Sequence, residues 1–236
     1  MAEFYAVIMA GGTGTRVGGE RPKQFLELEG QTVLTYTTAK FAAFSGFSGI
    51  LVTTPAEWEA ETARLTAAAF PERNDIFIVP GGATRNDTLM NAIDFIEEKF
   101  SLDDETVVVT HDCARPFVTE EIIRANLEAG QAFDASTTAV PATDTIMESK
   151  DGRLVSSVPD RAHMYQVQTP QTFRAKMLRE QYRSLSDSER EILTDACKIM
   201  HLNGTPVHII PGDPANFKIT YPSDLARAGI RQQEGK

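Results

Sequence analysis

The chain has 236 residues, 42% hydrophobic and 24% charged, enough for one sizeable soluble core or two small ones. Its 33 acidic residues against 23 basic ones leave a formal net charge of −10, a field that repels phosphate backbones and anionic surfaces. Nucleic-acid and membrane partners are therefore not expected, although a local basic pocket for one small phosphate ligand remains open.

FYAVIM (4–9), GILVTT (49–54), DIFIVP (75–80), TVVVT (106–110) and STTAVP (136–141) read as strands. Their continuous apolar, β-branched character suits strands covered on both faces of a parallel sheet. Helical patterns fall between them, at about 32–45, 56–69, 87–99 and 119–131, with apolar residues three and four apart. This alternation predicts a doubly wound, mostly parallel, Rossmann-like α/β domain. The pattern changes after residue 142. Asp151-Gly152 is a hairpin turn signal, and a two-stranded arm is expected at about 142–165. Helices near 173–184 and 187–202, a strand VHIIP (207–211) and a last helix from about 222, with Pro222 in its first turn, complete the reading. No repeat or linker interrupts it, so 1–236 is read as a single domain with an inserted arm.

Cys113 and Cys197 have no CxxC spacing and no histidine cluster beside them, which argues against a zinc site or a disulfide scaffold. His111, Asp112 and Cys113 are adjacent at a strand end. Neighbours there point in alternate directions, so they form no relay. Cys197 and Trp58 lie in helical patterns and are expected to pack. No segment approaches the roughly 20 apolar residues of a membrane span, and the first run has no basic leader, so a cytoplasmic location is expected.

The stretch VIMAGGTGTRVGGERPKQF (7–25) breaks the first strand into glycines where a parallel sheet binds ligands. Two phosphate-binding patterns fail on it. A dinucleotide fingerprint on Gly12 and Gly14 needs glycine at Val17, and a P-loop on Gly14 and Gly19 needs lysine at Glu20. A longer loop remains, with Arg16 and Lys23 as its distinctive cations, a planar fork and a point charge able to wrap a triphosphate. The alternative is a glycine-rich surface turn with solvated cations.

AGGTGTR followed by RPKQF resembles the signature of nucleotidyltransferases that activate sugar or polyol phosphates. The PKQF ending points to the cytidylyltransferase branch, which includes the 2-C-methyl-D-erythritol 4-phosphate enzymes. GGATRNDT (81–88), THDCARPF (110–117), TDT (143–145), PDRAHMYQVQTPQTF (159–173), LTDAC (193–197) and NFKIT (216–220) follow in order, so the resemblance spans the chain. Within the branch, VTHDCARPF, MYQVQTPQTF and LTDACKIM look more like the D-ribitol-5-phosphate cytidylyltransferases of the teichoic-acid type. The methylerythritol enzymes usually carry acids at the places of Ala196 and Ala215. Transfer of CMP from CTP to D-ribitol 5-phosphate, for wall polymers, is therefore the expected reaction. The same chemistry on 2-C-methyl-D-erythritol 4-phosphate is the alternative. A nucleotide-binding module without turnover and a nicotinamide-dependent oxidoreductase are the outside readings.

The resemblance implies the following roles. Met9, Ala10, Gly11 and Gly12 line the nucleotide site, and Arg16 and Lys23 stabilise charge on the triphosphate. The loop Gly81, Gly82, Ala83, Thr84, Arg85, Asn86, Asp87 and Thr88 lies against the cytosine; a turn capped by Asn86 or Asp87 at a helix start is the other reading, and the two can coincide. Asp112 helps hold Mg²⁺, and Asp213 is not assigned to the metal. Arg161 and Lys218 grip the acceptor phosphate, with hydroxyls from Thr145 and Thr169, and Arg115 buttresses Asp112. Arg161 sits on the arm and reaches the opposite subunit of a homodimer.

Overall fold

The computed structural model describes residues 2–12 and 21–230. Among these the first half of the chain alternates as read. The elements are β1 (Phe4–Met9), the short pair β2 (Glu27–Leu28) and β3 (Gln31–Thr32), α1 (Val33–Ala42), β4 (Gly49–Thr54), α2 (Glu59–Ala69), β5 (Ile76–Pro80), α3 (Arg85–Lys99), β6 (Val107–Asp112), α4 (Glu120–Ala132) and β7 (Ala135–Pro141). Then come β8 (Tyr165–Arg174), α5 (Ala175–Ser184), α6 (Asp187–Glu191), α7 (Ala196–Leu202), β9 (His208–Pro211) and α8 (Pro222–Arg227).

The main sheet has the order β5-β4-β1-β6-β8-β7-β9. β8 is antiparallel to both of its neighbours, and the other pairings are parallel. The mostly parallel, doubly wound sheet is thus as expected. Successive residues of β1 feed opposite faces. Ala6 and Ile8 join Ile50, Val109, Leu34, Phe41 and Ile123 in one apolar cluster, under α1 and α4. Tyr5 and Val7 join Leu51, Val108, Leu89, Ile93, Leu178 and Ile199 in the other, under α3, α5 and α7. Gly130 lets α4 sit close to the sheet, since a Cβ there would lie 2.7 Å from Phe4 and 2.9 Å from Thr172.

Three expectations need correction. β8 is absent from the sequence reading: YQVQTPQTFR has neither an apolar run nor clean alternation, and Pro170 lies inside it. The single helix expected at 187–202 is two, because the Asp195 side chain accepts from the Lys198 N–H and starts α7 anew. In the arm the paired strands reduce to one antiparallel bridge, Glu148 to Ser157. Its turn is held by Asp151, which accepts from the N–H groups of Arg153 and Leu154, with Gly152 at φ 69°.

Candidate active site

From β1 the chain moves outward to β4 and β5, then returns to place β6 on the other side of β1. The crevice at such a reversal is where open α/β sheets bind ligands. Met9 and Asp112 are register partners at that point, the last residues of β1 and β6. A cavity of about 320 Å³ opens there, a size suited to a small organic ligand.

Most of the anticipated residues meet in its wall. Met9, Ala10, Gly11, Gly12 and Lys23 come from the first loop, and Gly82, Ala83, Thr84, Arg85 and Thr88 from the turn into α3. Asp112 and Lys218 close it. Arg16 lies outside the described residues. Gln24, Cys113, Ala114 and Thr220 also line the wall, beyond those expected from the sequence. Gln24 carried a signal in the PKQF motif: its amide donates to the Ala10 carbonyl at 2.9 Å and ties the turn bearing Lys23 to the end of β1. The Lys23 ammonium donates to the Ile219 carbonyl at 2.6 Å, joining that turn to the segment bearing Lys218.

The turn into α3 is built as a helix start. Thr84 is the N-cap, and Asp87 completes a capping box by accepting from the Thr84 N–H and hydroxyl at 3.1 and 2.8 Å. The other Asp87 oxygen accepts from the Tyr182 hydroxyl at 2.6 Å. That bond, with those from Thr84, outweighs burial and holds the Asp87 carboxyl below its ordinary value. Gly82 must be glycine, because a Cβ would lie 2.5 Å from the Asp87 Cβ and 2.9 Å from the Thr88 nitrogen. The Gly81 N–H donates to Thr54 and the Gly82 N–H to the Thr88 hydroxyl. Gly81, Asn86 and Asp87 stand outside the wall, and the cap is Thr84 rather than Asn86 or Asp87, so the turn starts the helix and lines the cavity at once.

Asp112 is the electrostatic centre. Its carboxylate takes Lys218 Nζ at 2.8 Å, Arg85 Nη2 at 3.4 Å and Arg115 Nε at 3.7 Å. Burial alone pushes its carboxyl up, but Arg85 and Lys218, then Arg115, overcome this and hold it well below the usual carboxylate range. Three cations on one carboxylate, with Lys23 in the same wall, leave local positive charge in an acidic chain. Arg115 is fixed by donating to the Asn216 carbonyl at 2.8 Å, so it does buttress Asp112.

Neighbouring groups are removed from chemistry. Burial pushes the Cys113 thiol up to about 12 and the His111 imidazole down to about 4, leaving a thiol and a neutral ring at neutral pH. Thr169 is buried, and its hydroxyl bonds the Asp112 N–H and His111 Nδ1, each at 3.0 Å. It does not line the cavity. Thr145 is exposed on the arm, and the Arg161 guanidinium donates to the Thr143 carbonyl at 2.9 Å; neither lines the cavity of its own chain.

The IspD family model, 2-C-methyl-D-erythritol 4-phosphate cytidylyltransferase, matches residues 4–233. The chain belongs to this family. It is an enzyme, a nucleotidyltransferase of the cytidylyltransferase kind. It is similar to the solved 2-C-methyl-D-erythritol 4-phosphate cytidylyltransferase of Francisella tularensis, at 26% identity and a TM-score of 0.80, covering 97% of this chain and 99% of that one. It is also similar to that of Thermus thermophilus, at 29% identity and 0.70, covering 96% of each. The 4-diphosphocytidyl-2C-methyl-D-erythritol synthase of Anaerococcus prevotii, at 24% identity, 0.78 and 96% and 94% coverage, shares the fold.

The IspD match does not support the ribitol expectation, and the two positions behind that expectation lie away from the cavity. Ala196 is fully buried in the apolar cluster with Leu178, Ile199 and Met200. Ala215 is exposed and outside the wall.

Proposed function

We propose that the protein transfers CMP from CTP to 2-C-methyl-D-erythritol 4-phosphate, releasing pyrophosphate, as a step of isoprenoid synthesis. The observation that carries this is a strand-end cavity in whose wall Lys218 and Arg85 converge on Asp112, with Arg115 beside that carboxylate outside the wall, in a chain of the IspD family. An acceptor phosphate oxygen attacks the α-phosphorus of CTP, the bond to the β-phosphate oxygen breaks, and pyrophosphate leaves. A phosphate dianion is already nucleophilic, so positioning and charge stabilisation suffice. A neutral buried His111 and a protonated Cys113 agree with a site that has no protein base or nucleophile.

In this reading Lys23 and Arg16 meet the triphosphate and Lys218 the reacting phosphates. Among the described residues no group of three or more His, Cys, Asp and Glu could hold a metal unaided. Asp112 still fits Mg²⁺, because it is ionised in the wall and this ion takes one or two carboxylates together with phosphate oxygens. The ion would neutralise phosphate charge. Arg161 and Thr145 serve the acceptor from the arm of a second copy, in a homodimer. Among the described residues no helix is long and apolar enough to cross a membrane, which is consistent with work in the cytoplasm.

The test is pyrophosphate release from CTP and Mg²⁺ with 2-C-methyl-D-erythritol 4-phosphate and D-ribitol 5-phosphate in parallel. Release with the first alone is expected. Release with the second alone would keep the chemistry and overturn the acceptor.

A further inference from the structure

We propose that His111 is a positioning residue for the reaction: through the Thr169 hydroxyl it sets where Asp112 presents its carboxylate. The inference rests on the cytidylyl-transfer reading for its kinetic consequence, not for its geometry.

The direction of every bond can be deduced. His111 Nε2 lies 3.0 Å from the Arg115 carbonyl, which can only accept, so Nε2 carries the hydrogen. In the neutral ring Nδ1 then offers only a lone pair, and the Thr169 hydroxyl 3.0 Å away donates to it. That hydroxyl keeps a lone pair for the Asp112 N–H, also at 3.0 Å. The donors therefore run one way, from the Asp112 N–H to Thr169 to His111, and from His111 to the Arg115 carbonyl. Both ends of this chain, Asp112 and Arg115, belong to the end of β6 and the turn after it, so the imidazole braces that turn from inside.

The same strand residue also anchors the other side of the site. The Thr169 carbonyl accepts from the Asn216 amide at 2.9 Å, and the Asn216 carbonyl accepts from Arg115 Nη1 at 2.8 Å. Asn216 is two residues from Lys218 and fully buried. The 2.8 Å contact between Lys218 and Asp112 is thus the meeting of two segments pinned to Thr169. His111 cannot act on substrate directly. It is fully buried, packs on Phe41 with ring centroids 5.0 Å apart, and is absent from the cavity wall. Thr169, at 4% exposure, acts through Asp112 for the same reason.

The experiment joins imidazole ¹⁵N NMR of the whole protein with steady-state kinetics of Thr169→Val, which keeps the shape without the hydroxyl, and Thr169→Ser, which keeps the hydroxyl. The wild type is expected to show His111 protonated on Nε2, with the Nδ1 resonance moving when Thr169→Val removes its donor. Thr169→Val should lower kcat by about 10- to 100-fold, the scale set by a misplacement of about 1 Å, while KM for both substrates changes little. Thr169→Ser should restore kcat. Protonation on Nδ1 in the wild type would overturn the proposal. So would a Thr169→Val enzyme whose acceptor KM rises with kcat unchanged, since Thr169 would then be a substrate ligand. The tautomer is read without turnover, so an error in the assigned acceptor shows up separately.

Discussion

Asp112 sits where three cations converge, and its neighbours need it as much as the reaction does. In Asp112→Asn, Arg85, Arg115 and Lys218 would face one another without a counter-charge in a largely buried site. Removing one partner of a buried ionic cluster costs about 3–5 kcal/mol. We expect a loss of that order in denaturant unfolding, together with a fall in kcat of at least about 100-fold, the scale of losing one preorganised charge contact. Unchanged stability would mean that solvent already screens the cations. At this scale the sequence was half legible. Motif order brought Lys23, Arg85, Asp112 and Lys218 to one wall, because each stands at a strand end or in the segment beside one. It could not say that the Thr169 hydroxyl was already engaged, or that Ala196 faced the apolar core. Both depend on which way a side chain points after the chain has packed.

The turn into α3 shows how an element supports the site it borders. Asp87 holds the Thr84 cap with one oxygen and the Tyr182 hydroxyl of α5 with the other, so α3 starts in a fixed place under the cavity. Tyr182→Phe should destabilise the fold at neutral pH by about 1.5–3 kcal/mol, the range for a hydrogen bond to a charged group. The pH dependence has a definite sign. The folded carboxyl of Asp87 lies below its ordinary value of 3.8, so its contribution is complete above that value and is lost as pH falls through the folded one. The gap between wild type and Tyr182→Phe should therefore close in acid, as urea unfolding from about pH 7 down to about pH 3 would show. A gap independent of pH would mean that Tyr182 acts by packing alone. The parallel strands were legible at this scale because burial on both faces demands continuous apolar runs. β8 was not, since its inner half spends Thr169, Gln171 and Thr172 on hydrogen bonds and its outer half, Tyr165 to Val167, is exposed. The break at Asp195 had a local signal, the Thr-Asp pair of LTDAC, which the surrounding helical spacing masked.

For the whole molecule the arm is the unsettled surface. Met147, Leu154, Val155 and Val158 are all more than half exposed, Leu154 at 74%, on a ribbon joined by a single bridge. A two-stranded ribbon is marginal alone, and exposed apolar clusters of this kind mark association surfaces. Arg161 stands at the arm's base and outside its own cavity, which is the arrangement a residue serving a second copy would have. Subunit mixing separates the cases. Arg161→Ala and Lys218→Ala should each be nearly inactive alone. If Arg161 acts across a two-fold interface, a mixed dimer has one intact site, formed by Lys218 of one chain and Arg161 of the other. Half of the dimers in an equal co-expressed pool are mixed, so activity should return to about a quarter of wild type. Activity that stays at the level of the two inactive single variants would place Arg161 on its own chain's site, and an Arg161→Ala enzyme that is active by itself would place it outside catalysis. If Leu154→Glu with Val158→Glu also left the sedimentation mass unchanged, the arm would not be the dimer contact. If that pair instead gives a monomer that still binds CTP but turns over poorly, the arm is an interface and part of the acceptor site at once.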